Sequence, residues 1–177
     1  MTNEFLIAGF GGQGLLFAGK FLVNKGMMEG KEVSWLPSYG PEMRGGTANC
    51  SVIISDEPVG SPIVSKPNVL MVMNLPSLDK YENEVKAGGK IFVDSSLIGR
   101  KVERTDVDVY YVPATQLASD NGLTGLANMI LIGKLMKELG EFEDESAVAE
   151  SLKKVVSVKH PEMFDFNLKA LKMGRDY

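Results

Sequence analysis

The stretch Phe5-Leu6-Ile7-Ala8-Gly9-Phe10-Gly11-Gly12-Gln13-Gly14 decides the fold. Its opening apolar run, residues 5 to 8, reads as a short strand buried on both faces. Glycines follow at 9, 11 and 14, the spacing Gly-x-Gly-x-x-Gly. From about Gln13 to Met28 the apolar residues fall at 15, 16, 18, 22, 23 and 27, which is helical spacing. A strand, a glycine turn and a helix in this order give the motif a physical meaning. One glycine permits the tight turn, the next lets backbone N–H groups approach a phosphate, and the last lets helix and strand pack closely. The helix N-terminus then offers unpaired N–H donors and a partial positive charge to an anion. Gly11, Gly12, Gln13 and Gly14 are therefore candidate binding residues. Gly19 and Gly26 share one side of the same helix and predict close packing on a sheet.

An ordinary dinucleotide site also needs an acidic residue at the end of the second strand, to hold a ribose hydroxyl. The second strand is expected from Glu32 to Leu36, and no carboxylate stands at its end. Glu29 and Glu32 precede or open it. The turn thus points to a phosphate or other anion and away from NAD.

Beyond that strand comes Pro37-Ser38-Tyr39-Gly40-Pro41-Glu42-Met43-Arg44-Gly45-Gly46, too rich in Gly and Pro for helix or central strand. Parallel strands place their following loops at one sheet edge, so this loop should lie beside Gly11–Gly14. It supplies two hydroxyls, the Glu42 carboxylate and the Arg44 guanidinium. Arg44 beside Gly45-Gly46 suits a bidentate contact with carboxylate or phosphate. Polar loops of this length bind more often than they merely connect. Ser38, Tyr39, Gly40, Glu42, Arg44, Gly45 and Gly46 complete the candidate set.

Further strands are expected at Thr47–Ser55, Val69–Met73, Lys90–Val93 and Val107–Val112. Helices are expected over Pro76–Val85, Leu126–Leu139, Ser146–Val156 and Pro161–Met173, with Gly140 closing the second of these. Ser77 is assigned as the cap of the first, while Asn74 and Asn128 sit where they can face the cleft. The acidic run Glu141–Glu145 reads as a solvated connection. The sum is an α/β fold: a Rossmann-like mixed, mostly parallel sheet flanked by helices, with a helical C-terminal tail.

Composition narrows the chemistry. The 177 residues carry 19 basic and 23 acidic side chains, a net charge of −4, which speaks against sequence-independent nucleic-acid binding. There is one Cys and one His. Cys50 alone cannot form an internal disulfide or hold an iron–sulfur cluster, and it is expected to be a buried, inert thiol. His160 alone leaves no His-rich zinc site. The start Met1-Thr2-Asn3-Glu4 lacks a basic leader region and no apolar stretch is long enough to span a membrane, so a cytoplasmic location is expected.

The two glycine-rich motifs together, with Ala48-Asn49-Cys50-Ser51 and Met73-Asn74-Leu75-Pro76-Ser77, resemble the gamma subunit of 2-oxoacid:ferredoxin oxidoreductases. The likeness runs on through Ala127-Asn128-Met129, to about residue 140. It implies one gamma-type catalytic domain over residues 1–177, an α/β core to residue 140 with a helical tail from 141. It implies alpha and beta subunits that hold thiamine diphosphate and magnesium, and a ferredoxin-like delta subunit. Iron–sulfur clusters would sit in beta and delta, ferredoxin would take the electrons, and coenzyme A would receive the acyl group. Neither nucleic acid nor membrane is implied as a partner. The gamma chain needs no redox ligands of its own, and the single Cys agrees with such a division of labour. The matching residues are Gly11–Gly14, Ser38–Glu42 and Arg44–Gly46; none is implied to be a catalytic base or a metal ligand. The favoured substrates are 2-oxoglutarate or a branched-chain 2-oxoacid. A free-standing Rossmann-type nucleotide- or CoA-binding protein, and a purely structural scaffold, are the competing readings.

Overall fold

The computed structural model describes residues 1–38, 47–141 and 143–177. Its strands are β1 (Thr2–Phe10), β2 (Glu32–Ser38), β3 (Thr47–Ser55), β4 (Val69–Val72), β5 (Lys90–Asp94) and β6 (Asp108–Val112). Its helices are α1 (Leu15–Met28), α2 (Leu75–Tyr81), α3 (Ala114–Asp120), α4 (Ala127–Glu138), α5 (Glu145–Val155) and α6 (Glu162–Asp176). The strands form one sheet in the order β2-β3-β1-β4-β5-β6. β1, β4, β5 and β6 run parallel. β3 runs against both β1 and β2, so β2 points the same way as β1. This is the mixed, mostly parallel sheet with flanking helices that the sequence predicts.

Side-chain alternation divides the apolar residues between the two faces. Phe5, Ile7, Met71 and Phe92 face a layer containing α1, α4 and α6. Leu6, Ala8, Leu70, Val72, Ile91 and Val93 face Leu78 of α2 and the Ile98 segment. Leu152 of α5 and Leu171 of α6 join the first cluster, so the helical tail shares the core of the sheet. As expected, Gly19 and Gly26 mark the face of α1 laid on the sheet. A Cβ at Gly19 would lie 2.7 Å from Cys50 Sγ, and one at Gly26 would lie 2.9 Å from Val33 Cγ1.

Several boundaries differ from expectation, for local reasons. β2 continues through Pro37 to Ser38, which Pro tolerates because β2 is an edge strand. α3 is a short helix not bounded from the sequence, although Ala114, Leu117 and Ala118 fall at helical spacing after Pro113, and its start is tied to Asp94 at the end of β5. The Asp94 carboxylate accepts from Thr115 Oγ1 at 2.6 Å and from Ser96 N–H at 3.1 Å. The cap of α2 is Asn74, whose Oδ1 accepts from Ser77 N–H at 2.9 Å. Ser77 instead lies buried inside the helix, its hydroxyl without a hydrogen-bond partner among the described residues. The acidic run is not simply solvated. Burial pushes the Glu141 carboxyl up despite the opposing Lys25, and Asp144 caps α5 through Ser146 and Ala147 N–H.

Cys50 is fully buried in β3, and its Sγ–H donates to the Leu15 carbonyl at 3.4 Å. Desolvation pushes its thiol up to about 12, so the reactive thiolate is scarce at any ordinary pH. Native protein at pH 8 is therefore expected to resist a chromogenic disulfide reagent for as long as it stays folded. One thiol should titrate on adding denaturant, and rapid labelling of the native chain would contradict the packing.

Candidate anion site at the carboxyl edge of the sheet

The carboxyl ends of β1, β2, β4, β5 and β6 share one edge of the sheet, where β3 begins. The glycine turn after β1 lies at the middle of this edge. Gly12 and Gly14 take φ of +87° and +74°, a left-handed conformation that costs other residues energy. Among the described residues a Cβ on Gly12 would meet nothing within 4 Å, so none of them fills the space in front of the turn there. Gly14 caps α1 with no side-chain hydrogen bond, and no acidic side chain stands in the first turn. Among the described residues no side chain takes up the leading N–H groups of α1, and its positive dipole end is suited to an incoming anion.

Two amide side chains hold the turn. Gln13 Oε1 accepts from Phe10 N–H at 2.7 Å, and its Nε2 donates to the Met73 carbonyl at 3.1 Å. Both ends of the Gln13 amide are therefore spent on backbone, tying β1 to β4. Asn128, at the start of α4, donates Nδ2 to the Gly14 carbonyl at 2.9 Å.

Two clefts flank the turn. One, of about 370 Å³, is lined by Phe10, Gly11, Gly12, Gly14, Leu15, Leu16 and Ala48. The other, of about 330 Å³, lies between Gly12, Gln13 and Met73 on one side and Leu97, Thr115, Thr124 and Gly125 on the other. Phe10, Leu75 and Leu97, exposed apolar residues that end β1 or follow β4 and β5, give this edge an apolar rim.

The structure brings Gly11, Gly12, Gln13 and Gly14 together. Ser38 reaches the same edge, paired with Asn49 while Phe10 pairs with Thr47. Ser38 itself lines a different cleft of about 530 Å³, on the α2 face, with Asn49, Ser51, Lys80, Tyr81 and Glu84. Tyr39, Gly40, Glu42, Arg44, Gly45 and Gly46 lie outside the described residues. Asn74 is engaged as a helix cap. Thr115, Leu97 and Thr124 carried no sequence signal, because only the sheet order sets the α3–α4 segment beside the turn. Among the described residues no group of three or more His, Cys, Asp or Glu is placed to hold a metal ion, and no helix is long and apolar enough to cross a membrane.

An open α/β sheet with a phosphate-ready turn at its carboxyl edge defines a class of anion- and nucleotide-binding proteins. Comparison with known proteins narrows the class. The chain belongs to the pyruvate ferredoxin/flavodoxin oxidoreductase family, whose model matches residues 4–177. It is 39% identical over 171 residues to ketoisovalerate oxidoreductase subunit VorA of Methanothermobacter marburgensis, covering 97% of this chain and 35% of that one. The chain thus spans about a third of the length of that relative. It is 36% identical to 2-oxoglutarate synthase subunit KorC of Methanocaldococcus jannaschii, covering 90% of this chain and 89% of the relative. Among solved structures it superimposes on the keto/oxoacid ferredoxin oxidoreductase gamma subunit from Geobacter sulfurreducens with a TM-score of 0.82. That match has 27% identity and covers 98% of this chain and 96% of the other.

Proposed function

We propose that this chain serves as the gamma subunit of a multi-subunit 2-oxoacid:ferredoxin oxidoreductase and shapes the coenzyme A side of its active site. In that reaction a 2-oxoacid and coenzyme A yield acyl-CoA, carbon dioxide, one proton and two electrons for ferredoxin. Coenzyme A supplies the thiol that accepts the acyl group. Thiamine diphosphate, magnesium and the iron–sulfur clusters belong to the alpha, beta and delta partners, and the whole of 1–177 acts as one gamma-type unit in a cytoplasmic complex.

The open Gly11–Gly14 turn carries this reading. Its φ values at Gly12 and Gly14, its clamped ends and the uncapped start of α1 make a rigid set of N–H donors. Coenzyme A brings three phosphates to such a surface, and the apolar rim of Phe10, Leu75 and Leu97 suits its pantetheine arm or a partner subunit. In this role the chain binds and orients coenzyme A, and it moves no proton. Arg44, between β2 and β3 in the sequence, supplies a guanidinium suited to a phosphate of the same ligand. VorA and KorC, the names of the relatives, support a branched-chain 2-oxoacid or 2-oxoglutarate as substrate.

Arg44→Ala in the reconstituted complex tests the reading. The complex should still assemble, with the KM for coenzyme A raised about tenfold, the loss of one charge-assisted hydrogen-bonded pair. The KM for the 2-oxoacid should hold. Loss of assembly, or an assembled complex with an unchanged KM for coenzyme A, would favour the scaffold reading instead.

A further inference from the structure

Asn128 is buried, with only 2% of its surface exposed, and it is 114 residues away in sequence from the turn it touches. The Gly14 carbonyl accepts two donors, Ala18 N–H at 3.1 Å within α1 and Asn128 Nδ2 at 2.9 Å from α4. The Gly14–Leu15 peptide is planar and trans, so its C=O and N–H point in opposite directions. Fixing the oxygen from two sides therefore fixes the aim of Leu15 N–H, which points away from the body of α1. Leu15 lines the cleft beside Gly11 and Gly12. A carbonyl that accepts two hydrogen bonds also polarises its peptide and strengthens the N–H at the other end. Gly14 permits the contact, because a Cβ there would sit 2.4 Å from Asn128 Nδ2. α4 is itself closely packed: Gly133 and Gly174 let it cross α6 backbone to backbone.

We propose that Asn128 is a positioning residue of the anion site, aiming and polarising the first helical N–H toward the coenzyme A phosphates. The inference rests on the coenzyme A reading above. It assigns α4 a part in ligand binding, although Asn128 need not touch the ligand.

The test uses the reconstituted complex, with dye reduction driven by 2-oxoglutarate and by 2-oxoisovalerate, in three variants. Asn128→Leu keeps the volume and removes the donor. Asn128→Asp also lacks a donor while ionised, but regains an O–H donor once protonated. Gly12→Ala reports on the turn itself. Asn128→Leu should raise the KM for coenzyme A about three- to tenfold, the worth of one neutral hydrogen bond. Its kcat at saturating coenzyme A and its KM for the 2-oxoacid should stay within about twofold, since only ground-state binding is removed. In Asn128→Asp the KM for coenzyme A, taken relative to wild type at each pH, should fall back toward one as the pH is lowered. If Gly12→Ala raises the KM for coenzyme A while both Asn128 variants leave it unchanged, the positioning role is wrong and the coenzyme A reading survives. If all three leave it unchanged, the coenzyme A reading falls, and the positioning role with it. If the Asn128 variants lose assembly, or lower kcat and raise both KM values together with no pH recovery, Asn128 is only structural and the proposal is overturned.

Discussion

Gly174→Ala is expected to destabilise the protein by about 3 kcal/mol, the cost of forcing atoms into a close-packed interface. Alanine is intrinsically the better helix former by about 1 kcal/mol, so propensity alone predicts the opposite sign. Packing reverses it. A Cβ at Gly174 would lie 1.8 Å from the Ile130 carbonyl oxygen and 2.9 Å from Lys134 N. The obstacle is backbone of α4, which cannot rotate away like a side chain. The helices must separate, and Ile130 and Leu171, both fully buried, would lose contacts on either side of the crossing. Gly133→Ala meets the same limit from the other side, with the Leu171 carbonyl oxygen at 2.0 Å. Thermal unfolding followed by circular dichroism should show a midpoint lowered by roughly 6–12 °C for either variant, for a domain of this size. The double variant should cost less than the sum, because one separation relieves both clashes. A midpoint shift under about 2 °C in both single variants would mean the crossing is looser than described.

Gly12→Ala is expected to raise the KM for coenzyme A about ten- to hundredfold in the assembled complex, the span of one or two charge-assisted hydrogen bonds. The chain should still fold, because a Cβ there meets none of the described residues within 4 Å. Two effects act together. The left-handed φ of +87° costs an alanine about 1–2 kcal/mol, so the turn relaxes away from its donor geometry. The new methyl also stands on the open side of the turn, where the phosphate would approach. Gly88→Ala is the matching control. Gly88 has a φ of +76° and equally open surroundings, but it precedes β5 at the opposite edge of the sheet. It should show a similar loss of stability and an unchanged KM for coenzyme A. Equal KM values for the two variants would remove the turn from the binding surface.

Much of the fold was legible from local sequence. The run Phe5–Ala8 and the helical spacing after Gln13 place β1 and α1, and Gly140, with φ of +71°, ends α4 as expected of a C′ glycine. The candidate site was legible only in part. Glycine spacing located the turn, but it could not show that Gln13 spends both amide ends on backbone. Ser38 was expected beside the turn; it shares the edge yet opens onto the α2 face, because β3 is inserted between β2 and β1 and the alternation of side chains sends it there.

What the sequence determined by itself were the features set by neighbours along the chain: strand, glycine turn, helix, and a composition whose single thiol cannot by itself ligate an iron–sulfur cluster. Those follow from φ/ψ preferences and short-range periodicity, which act over a few residues. What only the tertiary structure decided were the long-range partners. Asn74 rather than Ser77 caps α2 because β4 ends in an extended conformation that leaves Asn74 at the helix entrance. Asn128 meets Gly14 because α4 is held beside the sheet by its close crossing with α6. Such contacts depend on which elements the buried apolar surface brings together, and hydrophobic burial is non-directional. Sequence specifies that such surfaces must be covered, and the packed fold specifies by what.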